Sequence, residues 1–123
     1  MRIFKSRWFQ RFARREGIAD AVLREAVGRA EKGLIDADLG GGVVKQRIAR
    51  RGQGRSQGYR TIILFRRGAR AFFVYGFAKS GRANIDEDER EQFKDAAKIV
   101  LALTETQLAA RLERGDFAEV KSE

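Results

Sequence analysis

Residues 43–78 read VVKQRIARRGQGRSQGYRTIILFRRGARAFFVYGFA, and the architecture turns on how they are parsed. Three runs rich in β-branched and aromatic residues have strand length: Val43 to Ala49, Tyr59 to Arg66 and Ala71 to Ala78. Between the first two lies Arg50 to Gly58, a Gly-rich basic hairpin loop, and Arg67-Gly68-Ala69-Arg70 makes a short turn before the third. Upstream, Gly40-Gly41-Gly42 breaks the chain, and Arg2 to Lys5 is a short first strand. Ser6 is placed to cap a helix with Phe9, Phe12 and Ala13 on its apolar stripe, ending at Gly17. Asp20 is placed to cap a second helix, with Leu23, Ala26, Val27 and Ala30 on one face and Gly33 as its stop. Downstream, Asp86 and Glu89 form a capping-box start for a helix to Leu103, and Phe93, Ala96, Ala97, Val100 and Leu101 are its buried stripe. Thr104 caps a last helix through Arg114, with Leu108 and Leu112 inward. The order βααβββαα predicts an α+β domain over residues 1–115: a small antiparallel sheet packed by two N-terminal helices and by C-terminal helices. Residues 116–123 are expected to fray.

Composition removes several chemistries. The chain has 123 residues with no Cys, no His and no Pro, so disulfides, thiolate metal sites, a cysteine nucleophile and a histidine base are all excluded. No apolar run is long enough to span a membrane, and the N-terminus lacks a secretory h-region, so a cytoplasmic location is expected. The net charge of +9 is unevenly placed. Residues 1–82 carry 20 Lys/Arg against 6 Asp/Glu, whereas residues 83–123 carry 6 against 11. From Leu39 to Ile85 there are 11 basic residues and no acid. A polyanion is the natural partner for such a stretch, because neutralising phosphates releases counterions.

Strand alternation sorts the cations. Lys45 and Arg47 share one face, with Gln46 and Ile48 on the other. If the next strand pairs through the Arg50–Gly58 loop, Arg60 comes within reach of Lys45 or Arg47, and Lys79 and Arg82 after the third strand complete a concave basic cluster. The bland alternative is that these are sheet-edge charges that discourage aggregation. Paired carboxylates for metal-assisted cleavage are absent from the basic segment, so neither a metal nor a cofactor is expected. Two routes stay open. One is simple binding, with Arg50, Arg51 and Arg55 on the loop and Tyr59 and Tyr75 as candidate stacking surfaces. The other is RNA cleavage in which the substrate's own 2′-hydroxyl attacks, cations stabilise the charge that develops, and Lys45 or Lys79 exchanges the proton.

The element order, Val44-Lys-Gln-Arg-Ile-Ala-Arg, the Gly58-Tyr-Arg-Thr strand start and Val74-Tyr-Gly-Phe-Ala-Lys-Ser-Gly-Arg-Ala-Asn-Ile resemble the HigB-like branch of the RelE/ParE toxin superfamily. The resemblance spans roughly residues 1 to 115. It implies the RelE-like fold and the toxin of a type II toxin–antitoxin pair, acting as a ribosome-dependent, metal-independent mRNA endonuclease that inhibits translation. The implied partners are mRNA, the ribosome and a helix-turn-helix antitoxin of the HigA kind, with higher-order toxin–antitoxin assemblies. Lys45 and Arg47 match the paired basic positions facing mRNA, Arg60 matches the arginine on the scissile phosphate, and Lys79 and Arg82 fall in the basic segment after the last strand. Ser80 and Ile85 depart from the pattern, standing where RelE has an arginine and a tyrosine. The same superfamily holds ParE-like gyrase poisons, and a non-catalytic nucleic-acid-binding or regulatory module is the third reading.

Overall fold

A computed structural model describes residues 1–50 and 54–122. Ten elements follow in the order β1 (Arg2–Ser6), α1 (Arg7–Glu16), α2 (Asp20–Glu31), β2 (Ala37–Gly40), β3 (Val43–Arg50), β4 (Gly54–Arg66), β5 (Arg70–Ala78), α3 (Glu87–Val100), α4 (Glu105–Glu113) and β6 (Phe117–Glu119). The strands form one sheet in the order β2-β3-β4-β5-β1-β6. All pairings are antiparallel except β1 against β5. The two helices between β1 and the central meander supply the crossover that a parallel pair needs.

Local chemistry explains most boundaries. The Ser6 hydroxyl accepts from Phe9 N–H at 3.1 Å, and Gly17 ends α1 in the left-handed region at φ 69°. Both C-terminal helices start with capping boxes, Asp86 with Glu89 and Thr104 with Gln107. The cap expected at Asp20 is not formed: Ala19 is the cap position, and the Asp20 carboxylate instead takes Lys5 Nζ and the Lys121 N–H, each at 3.0 Å.

Three further expectations are corrected. The loop foreseen from Arg50 to Gly58 is shorter, because β4 already begins at Gly54 and β3 runs to Arg50. Ala37–Gly40, not foreseen as a strand, pairs with Val43–Lys45 through the glycine turn. Gly42 makes that turn possible: its φ is +84°, and a Cβ there would sit 2.7 Å from Leu101, which caps the end of α3. Finally, part of the segment expected to fray is a strand: Phe117, Ala118 and Glu119 pair with Ser6, Lys5 and Phe4, and Val120 is buried.

The sheet is covered on both faces. On one side Phe9, Phe12, Leu23, Ala26 and Val27 of α1 and α2 pack on Val44, Ile48, Tyr59, Ile63 and Phe73. On the other, Ala97 and Val100 of α3, Leu101 at its C-cap and Leu108 of α4 pack on Phe4, Val43, Ile62, Leu64 and Phe72. A register shift between Ile62 and Ile63 places two features of β5. Ile63 pairs with Phe73, but Ile62 pairs with Tyr75, so Val74 is the extra residue of a bulge. The bulge resets the alternation. Tyr75 and Phe77 thereby join Phe72 on the face of α3, opposite Ile62 and Arg60.

Gly76 between them lets α1 approach, because a Cβ at this position would lie 2.7 Å from the buried Phe12 ring. Gly76→Ala should therefore destabilise the protein by about 1–3 kcal/mol through overpacking, read as a lower denaturation midpoint in urea with an unchanged slope.

Candidate functional site

The β3–β4 register sets Arg47 opposite Arg60 and Lys45 opposite Ile62. All three cations stand on the face of α3, on the part of the sheet beyond the helix's apolar contacts, as alternation predicts. They converge on a carboxylate that was not foreseen. Asp36, in the connection between α2 and β2, accepts from Arg47 Nε at 2.8 Å through Oδ1. Its Oδ2 lies 3.7 Å from Lys45 Nζ and 3.8 Å from Arg60 Nε. The Asp36 backbone is tied in place by its N–H, which donates to Lys45 O at 3.1 Å.

The expectation of a cluster with no balancing acid is thus corrected. Asp36 lies just upstream of the acid-free run, and the glycine turn folds it back onto the run's first strand. A strand reading of Ala37–Gly40 was the signal that would have found it.

The cluster is mostly withdrawn from water. The side chains of Arg60, Asp36 and Lys45 are 5%, 11% and 15% exposed, and that of Arg47 is 47% exposed. Burial pushes the Arg60 guanidinium below its ordinary value, the Arg47 charge pushes the same way, and Asp36 opposes both. Three cations and one anion leave a local surplus of positive charge in a partly dry setting, where each interaction with an incoming anion is strengthened. Arg47 spends its Nε on Asp36, while its terminal nitrogens donate to nothing among the described residues. A guanidinium anchored in this way offers a preset fork to phosphate.

A second cation group lies on the same face. Arg82 donates to Tyr75 Oη at 2.9 Å and is clamped by both carboxylate oxygens of Glu89. Its guanidinium stacks over Tyr75 and Phe77 at 5.9 and 5.6 Å. Asn84 joins the two groups: its carbonyl accepts from Arg82 Nε at 2.7 Å, and its Oδ1 accepts from Lys45 Nζ at 3.4 Å. Glu89 therefore does more than cap α3, which was the only role foreseen for it.

The Arg82 partnership holds the Glu89 carboxyl below its ordinary 4.5. The native state thus binds the proton less readily than the unfolded chain. The pair's stabilisation is complete above pH 4.5 and is lost as pH falls through the depressed native value. Tm should stay flat through neutral pH and fall in acid, and Glu89→Gln should lower the neutral Tm and flatten that acid decline.

The remaining foreseen residues are scattered. Lys79 is exposed in the turn after β5, and among the described residues its ammonium makes no ion pair. Tyr59 is on the opposite face, 3% exposed, edge-on to Phe12, with its hydroxyl donating to Glu16 at 2.8 Å. It offers no stacking surface. Arg50 covers the Tyr59 ring at 5.6 Å, on that same far side. Arg51 lies outside the described residues, as does the side chain of Arg55. No helix among the described residues is long and apolar enough to cross a membrane.

An α+β sheet that gathers cations around one carboxylate, on the part of the α3 face beyond the helix's apolar contacts, defines a small basic protein. A family model described as the RelE toxin of the RelE/RelB toxin–antitoxin system matches residues 1–120. The chain belongs to that family and is the toxin of a toxin–antitoxin system. Neither a search of curated proteins nor a search of solved structures returned a match.

Proposed function

We propose that the protein is a ribosome-dependent mRNA endonuclease that arrests translation, in the HigB-like manner, and that a helix-turn-helix antitoxin of the HigA kind holds it in check. The observation that carries this reading is the convergence of Lys45, Arg47 and Arg60 within 4.0 Å of one carboxylate on the sheet face beyond the apolar contacts of α3. Family membership supports it.

The chemistry follows from the charges. The 2′-oxygen attacks the adjacent phosphorus, the P–O5′ bond breaks, and the products are a 2′,3′-cyclic phosphate and a 5′-hydroxyl. The pentavalent intermediate gains charge on its equatorial oxygens, which Arg47 and Arg60 meet as fixed donors in a partly desolvated site. RNA brings its own nucleophile, so the protein supplies position and cations. Lys45, inside the cluster, stands where it can exchange a proton with the leaving or attacking oxygen, while Lys79 serves from the rim. Arg82, held by Glu89, Tyr75 and Asn84, frames the site and fixes the Asn84 amide beside Lys45.

Mapping transcript 5′ ends after induction tests the reading. New ends inside translated codons, abolished when translation is blocked, are expected. Intact transcripts with a DNA-damage response would instead indicate a gyrase poison, and intact transcripts with salt-sensitive RNA binding a non-catalytic module.

A further inference from the structure

Every guanidinium nitrogen of Arg82 is engaged within the protein. Its Nε donates to Asn84 O at 2.7 Å, one terminal nitrogen donates to Tyr75 Oη at 2.9 Å and to Glu89 at 3.0 Å, and the other is held by the second Glu89 oxygen. That second oxygen also accepts from the Asp86 N–H at 2.9 Å, which ties the clamp to the start of α3. This bonding makes Arg82 a fastener: it fixes the backbone at Asn84, in the connection between β5 and α3.

The Asn84 side chain is fixed as well. Its Oδ1 accepts from the Ile85 N–H at 2.9 Å and from Lys45 Nζ at 3.4 Å. The backbone donor at Ile85 settles which end of the amide faces Lys45, since only the oxygen can accept. Lys45 thus stands between two oxygens from different parts of the chain. Asn84 Oδ1 comes from the β5–α3 connection, and Asp36 Oδ2, at 3.7 Å, from the approach to β2. An ammonium has three N–H donors, and Lys45 meets no further acceptor among the described residues. Acceptors on both sides suit the ammonium, which can give a proton but cannot take one. Lys79, exposed in its turn without an ion pair among the described residues, has no such hold.

We infer that Asn84 is a positioning residue for proton transfer: with Asp36 it holds the Lys45 ammonium so that the third N–H meets the leaving 5′-oxygen. The inference rests on the RNA-cleaving reading above and decides which oxygen Lys45 serves. As the 2′-oxygen bonds to phosphorus, its proton passes to water. As the P–O5′ bond breaks, the electron pair stays on O5′ and Lys45 Nζ delivers a proton to it. The neutral amine then recovers a proton from water, and the site returns to its starting charge. Asn84 acts through Lys45 and not on the RNA. It removes the ammonium's freedom to turn away, and alignment of that kind is lost with a small displacement.

The test uses the full-length toxin, programmed ribosomes and two messages that differ in one atom, oxygen or sulfur as the bridging 5′-atom at the cut position. A thiolate leaves without a proton, so the sulfur message needs no acid. In single-turnover reactions Asn84→Ala should cut the oxygen message about 10–100-fold more slowly than wild type, and the sulfur message within about threefold of it. Lys45→Ala should show the same selective rescue. Arg60→Ala, which removes a donor to the non-bridging oxygens, should stay slow on both. A misfolded fraction lowers both rates alike, so the ratio of the two reads positioning and not stability. Asn84→Ala cutting the oxygen message at the wild-type rate, or equally slowly on both messages, would overturn the inference. If wild-type protein cuts neither message, the endonuclease reading itself fails and the inference falls with it.

Discussion

Arg60→Ala should relieve growth arrest and slow cleavage of ribosome-bound mRNA by about 10²–10³-fold, the cost of removing one preorganised donor from an anionic intermediate. The register places Arg60 opposite Arg47, and Asp36 sits between it and Lys45. It is the most buried cation of the three. The variant should stay folded with a lowered melting temperature, because Asp36 loses one of its counter-charges and the buried stem of Arg60 loses its packing. A folded protein with intact toxicity would show that the phosphate is bound elsewhere. The check is a paired measurement of thermal melting and single-turnover cleavage. Because cleavage is read after binding is saturated, lost affinity and lost chemistry separate.

Asp36→Asn should give an unusual pair of effects: tighter RNA binding and slower cutting. The amide keeps the shape of the carboxylate but removes the negative charge among Lys45, Arg47 and Arg60. One more uncompensated cation strengthens attraction to a non-cleavable 2′-deoxy analogue, and the salt dependence of binding should steepen by roughly 0.7–0.9 in log–log slope. Cutting should nevertheless slow by about 10–100-fold, because the neutral amide holds Arg47 Nε more weakly and turns its NH₂ group toward Lys45 and Arg60, which loosens the aim of the Arg47 fork. Arg60 loses a counter-charge in a buried place, so about 1–3 kcal/mol of stability goes as well. If Asp36 merely occupied the phosphate's seat, the variant would bind tighter and cut faster. Faster cutting would therefore refute the positioning role.

What the sequence made legible, and what it hid, has a physical pattern. Long apolar-rich strands and capped helices announce themselves through local chemistry, and Ser6, Gly17, the Asp86 box and the Thr104 box all act as their residue types suggest. Alternation also placed Lys45, Arg47 and Arg60 together, since it needs only one hairpin to be correct. The edge strands β2 and β6 carry little intrinsic signal: Ala-Asp-Leu-Gly and Phe-Ala-Glu become strands because β3 and β1 offer unpaired edges.

Asp36 was hidden with β2. The bulge at Val74 was hidden for another reason, because strict alternation puts Tyr75 and Phe77 on the far face from Phe72. Tyr59 follows the same alternation correctly, and that is what buries it away from Arg60. The Arg82–Glu89 clamp joins a turn to a helix start, a distance no strand pattern reports.

The central claim is cation-driven attack by the RNA's own 2′-hydroxyl at the Asp36-centred cluster. Its most direct test is the chemistry of the ends. Wild-type protein and programmed ribosomes should convert mRNA into fragments ending in a 2′,3′-cyclic phosphate, each followed by a 5′-hydroxyl. A message with a 2′-deoxy substitution at the cut position should stay intact. Fragments bearing 5′-phosphates, or cleavage of the 2′-deoxy message, would contradict it.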